Sequence, residues 1–240
     1  YASLKNKDID VFLGNWMPST PADIKPYLED KSVDQLPPNL EGAGYGIVVP
    51  QYVADAGVKS IADLAANKDK FQGKFYGIES GNDGNRIIQT IIDDPKNNLA
   101  GYSVVESSEA GMLTEAEKAM KNNEWIMFLG WTPHPIMGEM KIHYLDGVSD
   151  YGFGAATVHT NVRAGYVAEC PNAGKLVSNL KFSLAMEGAM MAPVLKDGAD
   201  PKVVALDWIK ANPESIKAWL DGVTTFDGGD AMAAVSAAIQ

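Results

Sequence analysis

The amino-acid sequence predicts an α/β protein of two lobes with parallel-type sheets. Three observations carry that expectation. Apolar runs of strand length alternate with amphipathic helical segments between Lys74 and Gly130, as in βαβ units. An apolar run leading to a Gly-Trp corner occurs twice, as "IDVFLGNWMP" (Ile9–Pro18) and "EWIMFLGWTP" (Glu124–Pro133). After a crossing segment near Ala155, alternation gives way to a helical tail. The 240 residues suffice for one large domain or two small ones.

Taken in order, "YASLKNKD" reads as the last turns of an amphipathic helix, and "IDVFLG" as a buried strand. Residues 15–44 hold five of the 13 prolines and read as a long connection with one short helix around Ala22–Leu28. Tyr45–Pro50 is a strand, and Lys59–Phe71 a short helix capped by Ser60. Lys74–Ser80 is the next strand; the Gly-rich turn "GNDGN" then opens the helix "RIIQTIIDD". Gly101–Ser107 (strand), "EAGMLTEAEKAMKNNE" (helix) and "WIMFLG" (strand) complete the alternation, which implies right-handed crossovers. A loop rich in Pro, Met and His leads to "IHYLDG", and Ala155–Val162 crosses back as a strand. The remainder is helical, with Asp200-Pro201 as a start and Asn212-Pro213 as a stop. Lobe 1 is expected to comprise residues 1–43 and 155–240, and lobe 2 residues 44–154.

Hydrophobic residues make up 46% and charged residues 21%, ordinary globular values, and no apolar run approaches the roughly 18 residues of a membrane helix. A net charge of −11 argues against nucleic acid as a partner, because phosphates need clustered Lys and Arg. A negative field favours approaching cations, and it also serves solubility alone. Cys170 is the one cysteine, either a buried inert thiol or half of a disulfide whose partner is absent. Trp131 is preceded by strand, helix, strand, helix, strand, whereas Trp16 has only a half-helix and a strand before it. As pseudo-repeats, the lobes differ by a leading strand–helix–strand of about 40–50 residues missing from the first, so an N-terminally truncated chain is expected.

The ligand reading starts from the two corners. Ligands bind beyond the carboxyl ends of strands in parallel α/β lobes. Trp16 and Trp131 fall just past such ends, with Gly14 and Gly130 permitting a sharp turn and Pro18 and Pro133 stiffening the exit. Two lobes facing across a cleft would bring the indoles together, and Tyr45 can reach the same space. Converging aromatic faces suit a quaternary ammonium, which has no N–H to donate and is held by ring quadrupoles at about 0.5–2 kcal/mol per face. A tryptophan at a strand end also serves plain packing; the matched pair favours the ligand reading. Trp208 and Trp219, at helical spacing, are read as packing. Asn82 in "ESGNDGN" either caps the next helix or hydrogen-bonds the far end of a ligand. Enzyme signatures are weak. The histidines are too scattered for zinc, no Gly-x-Ser-x-Gly elbow occurs, and no catalytic residue, metal or cofactor is expected.

Together "DIDVFLGNWMP", "YGIESGNDGNR", "FLGWTPHP", "TNVRAGYVAECPN" and "GVTTFDGGD" resemble the periplasmic choline-binding proteins of ABC importers, within the wider glycine betaine/choline substrate-binding group. The resemblance runs along the whole chain. It implies a type II periplasmic binding protein fold, two α/β lobes joined by a two-strand hinge, the first lobe here incomplete. It implies a periplasmic protein that captures choline or a related quaternary ammonium compound, closes on it and passes it to a membrane permease without chemistry. Glycine betaine, carnitine or acetylcholine as ligand, or an enzyme acting on choline esters, are the alternatives. By resemblance the aromatic box falls on Trp16, Tyr45 and Trp131, and the hydroxyl contact on Asn82. A further tryptophan, a carboxylate and a cysteine partner for Cys170 would lie ahead of Tyr1. His159 stands where the resemblance leads one to expect tyrosine.

Overall fold

Five helices begin on a proline in their first turn, where the missing N–H costs nothing and the fixed φ is already helical. These prolines punctuate a computed structural model that describes residues 1–239. The chain forms two compact units: Tyr1–Gly42 together with the chain from Thr157 onward, and Ala43–Ala156. Unit 1 opens with α1 (Ala2–Lys5), β1 (Val11–Met17) and α2 (Pro21–Glu29), and β2 (Val33–Pro50) runs from it into unit 2. Unit 2 continues with α3 (Gln51–Asp55), β3 (Lys74–Tyr76), α4 (Asp83–Asp93), β4 (Ser103–Val105), α5 (Glu109–Lys121), β5 (Phe128–Thr132), α6 (Pro135–Glu139) and β6 (Ile142–Tyr144). Then β7 (Gly154–Arg163) returns to unit 1, which ends with α7 (Tyr166–Glu169), α8 (Pro171–Asn179), α9 (Leu184–Asp197), α10 (Pro201–Ala211), α11 (Pro213–Trp219) and α12 (Ala231–Ala238).

The strands form mixed rather than purely parallel pairings. In unit 2, β3 pairs in parallel with β4 and β5, while β2 pairs antiparallel with β5 and β6. In unit 1, β1 pairs antiparallel with β7. Residues 45–50 of β2 are all buried, so the strand reads as an unbroken apolar run, as a strand covered on both faces does. Around it Phe75, Ile88, Ile91, Met112, Phe128 and Leu129 make the core of unit 2, all essentially inaccessible. Leu4, Ile24, Val33, Leu40 and Val162 do the same for unit 1. By contrast α9 and α10 carry no buried side chain, and Leu195, Val203 and Leu206 are exposed. No helix among the described residues is long and apolar enough to cross a membrane.

Several expectations need correction. Residues 33–44 are not a connection but the first two-thirds of β2, an 18-residue strand that carries Pro37 and Pro38. Proline bars only the hydrogen bond from its own nitrogen; its fixed φ fits extended backbone, and the Pro38 carbonyl still accepts from Lys181 Nζ. Lys59–Phe71 forms two 3₁₀ turns (Ile61–Asp63 and Ala65–Phe71) rather than an α-helix. Asp63 takes the backbone N–H groups of Lys59 and Ser60 at 3.0 and 2.8 Å, which holds that start tight. The strand expected over 74–80 stops at Tyr76; beyond it the Asn85 side chain accepts the Ile78 N–H and donates to the Ile78 carbonyl, both at 3.1 Å, and that carbonyl also accepts from the Ser107 N–H at 3.0 Å. Trp208 and Trp219 pack as expected, stacked at 5.7 Å. Cys170 is a half-buried free thiol.

The paired corners are corrected too. Trp16 and Trp131 lie inside β1 and β5, not beyond them, because β7 and β2 continue the antiparallel pairing past both indoles (Trp16 with Val158, Trp131 with Tyr45). Neither glycine makes a sharp turn, and the two sit in different settings. Gly14 falls where the β1–β7 register shifts between Phe12 and Asn15, a bulge. At Gly130, opposite Gly46 in the β2–β5 register, a Cβ would meet Val48 Cγ1 at 2.6 Å. The echo extends to the backbone after each Trp: Met17-Pro18 and Thr132-Pro133 are both cis.

Unit 1 buries a polar network beside Trp16. Asn15 is fully buried; its oxygen accepts from Tyr1 Oη at 2.8 Å and lies 2.6 Å from Thr20 Oγ1, and its amide donates to Gln35 and Asn161 at 3.1 and 3.3 Å. His159 joins the same layer, with Nδ1 3.0 Å from the Leu36 carbonyl and Nε2 3.1 Å from Thr157 Oγ1. Removing the Asn15 amide deprives Tyr1, Thr20, Gln35 and Asn161 of one hydrogen bond each in a buried layer, a cost of about 1–3 kcal/mol. Asn15→Ala should therefore lower the urea midpoint by that equivalent; a change under ~0.5 kcal/mol, the level of an ordinary surface substitution, would contradict the network's role.

Candidate functional site

The register of β2 against β5 sets Tyr45 directly opposite Trp131. Side chains so paired stand on one face of the sheet. Their rings meet edge to face, centroids 6.3 Å apart at 76°. Phe153 backs Tyr45 at 5.1 Å and 89°, and His134 meets Trp131 at 4.9 Å and 85°. Tyr45 and Phe153 are buried, whereas Trp131 keeps part of its surface accessible.

Asn82 stands at the start of α4. Its side-chain oxygen accepts from the backbone N–H groups of Gly84 and Asn85 at 2.7 and 3.3 Å and from Tyr45 Oη at 3.0 Å. The helix-capping role is therefore real, and with three donors that oxygen is saturated. The Asn82 amide nitrogen is the part left to donate to anything else. Gly84 makes the contact with Tyr45 possible, since a Cβ there would lie 2.0 Å from Tyr45 Oη. Burial raises the Tyr45 phenol well above its usual range, and the nearby Asp83 carboxylate raises it further, so the phenol stays neutral and donates. Asp83 Oδ2 is itself buried with no hydrogen-bond partner.

Trp16 belongs to unit 1, whereas Tyr45, Asn82 and Trp131 belong to unit 2. Its carbonyl lies 2.6 Å from Thr20 Oγ1, which fixes the backbone between β1 and α2. Trp16 is half-buried. Sequence reasoning missed Phe153 and His134. "WTPHPIM" was legible only as a loop, although Pro135 is a helix-start signal that would have pointed to His134 as the residue before α6. Phe153, in "DYGFG", gave no periodic signal. Among the described residues no group of three or more His, Cys, Asp and Glu is placed to hold a metal ion.

Residues 1–211 match the profile described as the substrate-binding domain of the ABC-type glycine betaine transport system. The chain belongs to this family. An ABC-transporter choline-binding protein solved in complex with choline shares 54% identity with this family member, covering 100% of this chain and 84% of that one, with a TM-score of 0.96. Lactococcal OpuAC, solved closed with glycine betaine, shares 28% identity over 91% of this chain and 82% of its own, with a TM-score of 0.80. The glycine betaine/carnitine transport binding protein GbuC of Listeria monocytogenes is 32% identical over 174 residues, 71% of this chain. This chain spans 56 and 58% of the length of two curated relatives it matches. The fold is thus that of the periplasmic binding proteins, with a mixed sheet, and the family is one of transport proteins rather than enzymes.

Proposed function

We propose that this protein captures choline or a close quaternary ammonium relative in the periplasm and delivers it to the permease of an ABC importer. The observation that carries the reading is the Tyr45–Trp131 pair with Asn82 hydrogen-bonded beside it. A methylated nitrogen has no proton to donate, so aromatic faces serve it better than acceptors. Trp131 offers one face, Tyr45 a second, and Trp16 of unit 1 is proposed as a third. The Asn82 amide nitrogen would donate to an oxygen on the ligand's other end. That requirement alone admits both a hydroxyl and a carboxylate.

Charge separates the two. Asp83 lies near enough to Tyr45 for its carboxylate to raise the phenol, and a carboxylate with one oxygen buried favours a net cation over a zwitterion whose own carboxylate approaches the same place. Choline is therefore preferred in this reading to glycine betaine, the ligand in the family's description. Competition titrations should show glycine betaine binding at least about tenfold more weakly than choline, roughly the size of one uncompensated charge contact. Equal affinity, or a preference for glycine betaine, would overturn the assignment. Acetylcholine incubated with the protein should be recovered unhydrolysed; turnover would instead support an enzyme acting on choline esters.

A further inference from the structure

Trp131 has two neighbours that the ligand reading does not use, and they are joined. His134 has a completely buried side chain. Its Nδ1 accepts the backbone N–H of Met137 at 3.2 Å, capping α6, so the proton of the ring sits on Nε2. That Nε2 lies 3.1 Å from Oε1 of Glu109, the first residue of α5. With both nitrogens engaged the ring cannot rotate, and its edge is held against the Trp131 indole. Met137 closes the arrangement from the other side, its sulfur 3.3 Å from the Trp131 backbone nitrogen. Glu109 is itself tied, its N–H donating to Glu79 Oε1 at 3.2 Å.

We propose that His134, oriented by Glu109, is a positioning residue that holds the Trp131 indole in its ligand-binding orientation. The inference rests on the reading of Trp131 as a cation-binding face. An indole with part of its surface accessible would otherwise exchange rotamers, and each ligand would have to select the competent one. A T-shaped contact from a ring locked at both nitrogens removes that freedom before the ligand arrives. Capping of α6 alone does not need a ring: asparagine caps as well or better. Nor does capping need Glu109.

The test separates these roles. His134→Asn keeps a capping oxygen for Met137 but removes the ring. Glu109→Ala frees Nε2, and Glu109→Gln still accepts from it. Protein carrying 5-fluorotryptophan gives a ¹⁹F resonance for Trp131, assigned by its loss in Trp131→Phe. In ligand-free protein, His134→Asn and Glu109→Ala should shift or broaden that resonance. Both should weaken choline binding of the folded protein about threefold to tenfold, the size of one aromatic edge contact; His134→Asn should also lower the urea midpoint, because it empties a fully buried site, and Glu109→Ala should lower it less. Glu109→Gln should recover most of what Glu109→Ala loses. An unmoved Trp131 resonance in His134→Asn would overturn the proposal, as would affinity lost only in proportion to unfolding. A resonance that responds as expected in a protein that fails to bind choline would uphold the positioning and overturn the ligand instead.

Discussion

Trp131→Ala is expected to weaken choline binding at least about tenfold, the equivalent of ~1.4 kcal/mol. A cation over an indole face gains ~0.5–1 kcal/mol when exposed and ~2 when water is excluded, with dispersion against three methyl groups added. Trp131 can deliver this because Tyr45 lies directly across from it, and the two rings set at 76° give a corner rather than a flat wall. Trp131→Phe should lose less, since it keeps a face with a weaker quadrupole. Trp131 is partly buried against Tyr45 and His134, so truncation also costs stability, and affinity is compared in protein shown to be folded. Isothermal titration reads the affinity, and circular dichroism confirms the fold. An alanine variant that binds choline as tightly as the parent removes the aromatic basis of the proposed ligand.

Gly84→Ala is the second large expected effect, and here two physical arguments predict opposite signs. Alanine within a helix is favoured over glycine by about 1 kcal/mol, so propensity alone predicts a more stable α4. Packing predicts the reverse. The new Cβ would lie 2.0 Å from Tyr45 Oη, 2.8 Å from its Cζ and 2.9 Å from Leu129 Cδ1. Tyr45 is boxed between Trp131 and Phe153 and is only 8% exposed, so it has little room to retreat. Overpacking of this kind costs about 1–3 kcal/mol, which exceeds the propensity gain. The displaced phenol also leaves Asn82. Gly84→Ala should therefore both lower the urea midpoint and weaken choline binding by about tenfold or more. In a Tyr45→Phe background, which lacks the closest atom, the penalty should shrink; a double-mutant cycle measures that coupling. A more stable Gly84→Ala protein with intact binding would show that Tyr45 is not held as described.

Much of the candidate site could be read in the sequence, for a specific reason. Two apolar runs carrying Phe-Leu-Gly, followed by a tryptophan and a proline, placed Trp16 and Trp131 in matching local settings, and local settings are what a sequence encodes. The pattern did not reveal why each glycine is there. Gly14 serves a bulge, and Gly130 makes room for Val48, a residue more than eighty positions away. Nor did it reveal that residues 33–44 extend a strand. The prolines gave the correct signal for broken periodicity, but the strand's hydrogen bonds depend on partners distant in sequence. His134 stayed hidden for the same reason. Its meaning lies in Glu109, twenty-five residues earlier, and in the indole it touches.

By itself the sequence determined most of the helices and the strands of unit 2, through apolar periodicity and proline-marked helix starts, and which aromatic residues have matching surroundings; it did not give the strand over residues 33–44 or the 3₁₀ turns of Lys59–Phe71. Only the tertiary structure decided that Tyr45 faces Trp131, that the Asn82 oxygen is already spent on Gly84, Asn85 and Tyr45, and that the His134 ring meets the indole. Helix starts and strand patterns are set by neighbours along the chain. Strand register and ring-to-ring geometry are set by residues far apart in sequence that meet only when the sheet closes on itself.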